Sequence, residues 1–255
     1  MKTTHTFLKP VLATLLLAAS AQAEYLADTD PVTAGNQPGS VYYPIGLGGT
    51  YKTEGWEKLT STLYPGNGSF PGWSAWVGAL ASQVDTDAGS SGLAKIANGV
   101  GGGPYPSSAS IYFGGTGILP NLFGGTLETQ TSGSSVVPGL RTVIFHLDIG
   151  EAWTYDLYSG ASPVLYVTTS SGTTTIPATH ASRYAKVYNG QVWMNGKYED
   201  LYINSRAYQF NIGSLGTITS FTVRFSGAQH AQIHGAGLEQ SSQAYTTNEL
   251  PAHIP

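Results

Sequence analysis

Between Ser107 and Glu239 the chain alternates short apolar runs with clusters of Gly, Pro, Ser and Asn. In "RTVIFHLDIG" a period of two puts Val143, Phe145, Leu147 and Ile149 on one face and Ile144, His146 and Asp148 on the other, and the first set is assigned to a core. Comparable runs recur at "SASIYFGG", "GGTLETQ", "EAWTYDLY", "SPVLYVTT", "GTTTIPA", "DLYINSRAYQFNI", "TITSFTVRFSG" and "HAQIHGAGLE", each bounded by turn residues. About nine strands at this spacing, without helices alternating between them, predict an all-β fold, an antiparallel β-sandwich of jelly-roll type. In the last run Ile233 and Leu238 are packing positions, and Gly235 and Gly237 suggest a bulge that switches faces.

Upstream the period changes. Trp73, Trp76, Val77, Leu80, Ala81 and Val84 fall on one helical face just after Pro71, predicting one short helix over residues 73–84 on the N-terminal side, with "LAKIA" as a further helical turn. Residues 24–70, rich in Gly, Pro, Asn and Thr, read as an irregular entry with one or two edge strands; the sandwich occupies 71–241 and a tail 242–255. Residues 1–23 have the parts of a secretory signal peptide: the basic Lys2, His5 and Lys9, the apolar run "VLATLLLAA", and the cleavage-type triplet Ala21, Gln22, Ala23. That run is shorter than the roughly 20 residues of a bilayer-spanning helix, and none later is longer, so an exported protein without membrane insertion is expected.

Charged residues make up only 10% of the chain and the net charge is −4, too little cationic character for a nucleic-acid or anionic-membrane partner. Cysteine is absent, which leaves the core, rather than disulfides, to stabilise an exported fold. The excess that carries information is aromatic: 16 Tyr and 5 Trp. Sugar rings stack their apolar faces on such side chains, so Trp153, Tyr155, Trp193, Tyr198 and Tyr202 are the candidates for a carbohydrate platform, whereas Trp73 and Trp76 are assigned to packing. Tyr is also a good strand former, so the excess equally suits strand packing.

Other constellations are weaker. His230 and His234, read on one strand, would sit roughly 13 Å apart, too far to share an ion, and are expected to face solvent. Asp85 and Asp87 have the alternate spacing that opens calcium loops, so a structural Ca²⁺ is the single cofactor the sequence suggests. Glu151 and Asp156 read as exposed charges, and His146 with Asp148 as a polar pair on one face. The tripeptide Gln232, Ile233, His234 resembles a strand motif of jelly-roll alginate lyases, which would imply catalytic roles for Gln232 and His234; Tyr208 and Arg224 complete a candidate catalytic set only because they too lie in the closing strands. The arginine-rich motif of those enzymes is not matched, since "RTVIF" lacks its glutamate and second arginine, and no tyrosine-bearing closing strand follows the tripeptide.

The order "FPGWSAW", "SASIYFGG", "GGTLETQ", "RTVIFHLDIGEAWTYDLYSG", "AYQFNI", "ITSFTVRFSGAQHAQIHGAGLEQS" resembles exported bacterial jelly-roll proteins associated with the PEP-CTERM sorting system, over residues 70–241. That resemblance implies a secreted jelly roll and no particular chemistry. In such proteins a sorting box follows the domain; this sequence has "ELPAHIP" there and no such box. The expectation is a secreted, non-catalytic sandwich of the cell surface or extracellular matrix that binds polysaccharide. The rivals are a lyase or glycosidase, predicting a deep groove where Arg, His and Tyr converge, and a structural matrix protein.

Overall fold

The computed structural model describes residues 44–64, 78–83, 92–107, 109–194 and 196–254. The signal-peptide segment, Trp73, Trp76, Val77, Val84 and the suggested calcium ligands Asp85 and Asp87 lie outside them. The described strands are β1 (Tyr51–Trp56), β2 (Ala79–Ala81), β3 (Gly92–Asn98), β4 (Tyr105–Pro106), β5 (Ile111–Tyr112), β6 (Phe123–Ser132), β7 (Thr142–Gly150), β8 (Val164–Thr169), β9 (Gly172–Pro177), β10 (His180–Met194), β11 (Lys197–Asn211), β12 (Ile218–Ala228) and β13 (Gln232–Ser241). They form two packed antiparallel sheets. One has the order β10-β11-β7-β13-β5-β4, with β1 also paired to β13, and the other the order β2-β3-β6-β12-β8-β9.

Period two places the core where the sequence does. Val143, Phe145, Leu147 and Ile149 of β7 meet Phe221, Val223 and Phe225 of β12 between the sheets. Their alternates on β7 are buried as well, so the whole strand is inaccessible. The reason is a second layer: residues 44–51 and the tail cross the outer face, where Leu47 and Leu250 pack on Ile144 and Ala207. Glu239 fastens that layer. Its carboxylate accepts from the amides of Ile45 (2.9 Å) and Gly46 (3.2 Å), the hydroxyl of Tyr51 (2.8 Å) and His146 Nε2 (2.8 Å). The polar partner of His146 on this face is thus Glu239, from the adjacent strand.

β13 shows why Ile233 and Leu238, an odd number of residues apart, can both be core. The register with β7 slips between Ile233 and Gly235, so one extra residue, His234, restores the inward phase.

Four segments depart from the sequence reading, and the longest is His180–Met194, a 15-residue strand that none of the nine runs covers. Ala79–Ala81 is a strand paired with β3, so no helix runs through Leu80 and Ala81, and "LAKIA" lies in β3 itself. Its apolar residues satisfy either period, and pairing to β6 decides between them. "EAWTYDLY" is a turn rather than a strand: Ala152 and Tyr155 exchange backbone hydrogen bonds of 2.8 and 2.9 Å around Trp153 (φ 50°) and Thr154 (φ 70°). Positive φ at both central residues is the geometry of a tight two-residue turn.

Candidate functional site

The β10–β11 hairpin extends past the strands that cover the rest of its sheet. A two-residue connection joins Met194 to Lys197, and its Gly196 has φ 83°, the left-handed conformation such a turn needs. Directly opposed residues share a face. Trp193 faces Tyr198, Gln191 faces Asp200, and Tyr188 faces Tyr202. The rings of Trp193 and Tyr198 meet edge to face at 5.0 Å and those of Tyr188 and Tyr202 at 5.7 Å, while Gln191 Nε2 donates to Asp200 between them at 2.6 Å.

This face continues the phase of Tyr208 and Phe210, which are core, but at the hairpin none of the described residues covers it: Tyr188 is 52%, Trp193 60% and Tyr198 66% exposed. Lys186 Nζ lies 4.4 Å from the centre of the Tyr202 ring and 3.3 Å from Glu151. The result is an open ladder of aromatic pairs, with an amide and a carboxylate between them.

Of the five aromatics proposed for the platform, Trp193, Tyr198 and Tyr202 lie together on the hairpin, and Tyr188 joins them. Trp153 and Tyr155 belong to a different place, the turn after β7. There the Trp153 indole packs edge to face on His230 at 5.3 Å with its Nε1 buried and unpartnered, and Tyr155 is half-exposed.

On the other side of the hairpin base is a cavity of about 310 Å³. Val192, Met194 and Leu201 of the hairpin line it together with Gly150 at the end of β7, and Trp193 borders it. Its polar lining comes from Tyr112, Asn189, His230, Gln232, His234 and Glu151. β13 pairs with β5 in the register Gln232 to Tyr112, which puts these two residues side by side.

His230 stands in the turn before β13 at φ 72°, where its ring nitrogens bond the Tyr112 hydroxyl and the carbonyl of Gly117 (3.1 Å). A ring that donates to the carbonyl through Nε2 accepts the phenol proton at Nδ1. Burial, then the nearby Tyr105, push the Tyr112 phenol up to about 12, so it remains protonated.

The histidines are thus not exposed strand residues. His234 is nearly fully buried, and burial alone pushes it down from 6.5 to about 4. In the unfolded chain it binds its proton near 6.5, but in the fold not until about 4, so stability rises with pH across that window and is lost on acidification. Lowering the pH from 7 to 4 is expected to remove about 3 kcal/mol through this residue. Urea unfolding of the wild type and His234→Gln at both pH values checks this, and an equal pH slope in the two proteins would refute it.

Glu151 and Asp156, expected to be exposed, are buried beside this region. Asn204 Nδ2 bridges them at 3.1 and 2.9 Å, Arg206 Nε donates to Asp156 at 2.6 Å, and Lys186 pairs with Glu151. These charges hold the turn after β7 against β11.

The set His234, Gln232, Tyr208 and Arg224 does not converge. His234 and Gln232 line the cavity; Tyr208 is in the core on the opposite face of the sheet; and Arg224 is on the other sheet, bonded to Glu128 at 2.7 and 2.9 Å above the ring of Tyr166. Alternation along β11 and β12 sends those two side chains away from the cavity. No group of three or more His, Cys, Asp or Glu suited to a metal occurs among the described residues, and none of their helices is long and apolar enough to cross a membrane.

Sequence reading missed Tyr188, Tyr112 and the role of His230. The dipeptide Asn195-Gly196 is a hairpin signal that pairs Trp193 with Tyr198, but regular alternation from it would set Asn189 opposite Tyr202; a register shift between Tyr188 and Gln191 puts Tyr188 there instead, and nothing local pairs Tyr112 with Gln232. Set against models of protein families, curated proteins and solved structures, the chain has no match, so its function rests on this geometry.

Proposed function

We propose that this is an exported, non-catalytic β-sandwich of the cell surface or extracellular matrix that binds polysaccharide on the open face of the β10–β11 hairpin. The association with the PEP-CTERM sorting system belongs to the same proposal. The observation that carries the binding role is the ladder of Trp193–Tyr198 and Tyr188–Tyr202 around Gln191 and Asp200. Exposed rings on a rigid strand pair offer apolar area to successive sugar faces, and the polar pair between them can meet ring hydroxyls. A shallow row of this kind suits a binding module, and the separation of Tyr208 and Arg224 from His234 counts against the lyase.

The test is retention of the full chain on a panel of insoluble and gelled polysaccharides, with the supernatants assayed for released oligosaccharide. Retention without release is expected for at least one glycan. Trp193→Ala or Tyr198→Ala should weaken it about 10- to 100-fold, the equivalent of roughly 1.5–3 kcal/mol of aromatic burial, while the unfolding midpoint stays nearly unchanged because both rings are exposed. Release of oligosaccharide would favour the lyase or glycosidase, and neither retention nor release would favour a structural matrix protein.

A further inference from the structure

The cavity lies on the opposite side of the hairpin from the aromatic ladder, and the ladder has no need of it. Its walls are divided: Val192, Met194 and Leu201 are apolar, whereas Asn189, Gln232 and His234 carry hydrogen-bonding groups, with the carboxamide oxygen of Gln232 accepting from Ser110 at 3.2 Å. The Nε2 of the buried His234 has no hydrogen-bond partner, and it faces the side of Gly150 where a side chain would be; a Cβ there would lie 3.1 Å from it. A buried polar atom without a partner costs free energy, so a ligand that supplies one gains a contact the empty fold lacks.

We propose that the cavity is a second glycan subsite that takes one uncharged pyranose residue, bonding its hydroxyls through Asn189, Gln232 and His234 and packing its apolar face on Val192, Met194 and Leu201.

The volume is at the small end for ligand pockets and fits one such ring rather than a longer chain. The charge pattern selects against acidic sugars, because among the described residues no Lys or Arg lines the cavity and the one carboxylate that does, Glu151, is already held by Lys186 and Asn204. A uronate would enter a site with no cation to meet it, next to a carboxylate. Hydroxyl groups, which both donate and accept, suit an imidazole that burial keeps neutral. The inference rests on the glycan reading only for the source of the sugar, since the two sites are on different faces.

Titration of the isotope-labelled full chain at pH 7 with the methyl glycosides of glucose, galactose and mannose, and separately with glucuronate, tests the subsite by NMR. Saturable shifts of the Gln232 side-chain amide and the His234 ring are expected with at least one neutral glycoside, and none with glucuronate. Leu201→Trp, which fills the cavity from the half-buried hairpin wall, should abolish the shifts, and Gln232→Ala should weaken them at least 5-fold, roughly 1 kcal/mol for a lost hydrogen bond. Tyr198→Ala, on the far face, should leave them intact. No saturable shift with any neutral glycoside, equal binding of glucuronate, or shifts that survive both cavity variants overturn the proposal. If polysaccharide is retained and no glycoside shifts the cavity, the subsite falls and the ladder stands; glycoside shifts without retention give the reverse.

Discussion

Glu239→Ala is expected to lower the unfolding free energy by about 3–5 kcal/mol, among the largest effects of any single change in this chain. The carboxylate is completely buried and receives two backbone amides, a phenol and an imidazole. Burial by itself would raise its pKa, but the His146 bond and charge, followed by the amide of Ile45 and the hydroxyl of Tyr51, outweigh that and hold it below its ordinary value. Alanine removes the acceptor shared by these four donors; water can reach the exposed Gly46 and partly the half-buried Ile45 and Tyr51, and a donor left buried without an acceptor costs about 1–3 kcal/mol before relaxation. Thermal unfolding should show a midpoint lower by roughly 10 °C, as expected for a domain of this size.

A second readout separates this local mechanism from general damage. Proteolysis in the native state should cut the segment around Ile45 and Gly46 much faster in Glu239→Ala than in the wild type, because those two amides hold it to the sheet. Glu239→Gln, which keeps two lone pairs but turns an amino group toward one donor, should fall between them. A Glu239→Ala midpoint within a degree or two of the wild type would show that the carboxylate is not the fastener. Since the folded pKa is depressed, the contribution is complete above the unfolded value of about 4.5 and fades as the pH falls through the folded one. It adds to the acid lability expected from His234.

Trp56→Ala is expected to cost a similar 3–5 kcal/mol for a different reason. Trp56 ends β1, paired with Ala236 of β13, is fully buried, and donates from Nε1 to the carbonyl of Leu80 in β2 at 3.0 Å. Since β13 and β2 belong to different sheets, one side chain fills the core and bonds across the sandwich. The same strand makes a second crossing, where Thr131 of β6 donates to Glu54 at 3.1 Å. Alanine opens a large cavity and orphans the Leu80 carbonyl; Trp56→Phe keeps most of the volume and loses only the hydrogen bond, for about 1–2 kcal/mol. Urea denaturation of both variants distinguishes the two contributions. Equal losses would mean that the bond to Leu80, not the filling of the core, is what the residue provides.

The candidate site was partly legible for the same reasons as the core. Alternation placed Val143 to Ile149 inward, and Trp193, Tyr198 and Tyr202 were chosen as aromatic residues in a chain with few charges. The turn dipeptide Asn195-Gly196 between two such residues marks the hairpin in local form, but neither it nor the strand His180–Met194 entered the sequence reading, so the platform was named from composition alone. Trp153 was misplaced because "EAWTYDLY" alternates like a strand, while Trp153 and Thr154 adopt left-handed backbone angles that no periodicity signals. His146 and Asp148 share a face, as the period says, yet the partner of His146 comes from β13, 93 positions along the chain.

The sequence by itself determined the all-β class, the inward face of β7 and the bulge near Gly235, because each depends on residues close together along the backbone, whereas the long strand His180–Met194 and the open hairpin it makes went unread. Only the tertiary structure decided that Tyr112 lies beside Gln232, that Arg224 and His234 sit on different sheets, that Glu239 gathers the entry segment, and that a cavity opens between hairpin and sheet. Period two states which residues share a face but not which strand is the neighbour. That choice is made by pairing across long loops and by how much apolar surface each arrangement removes from water.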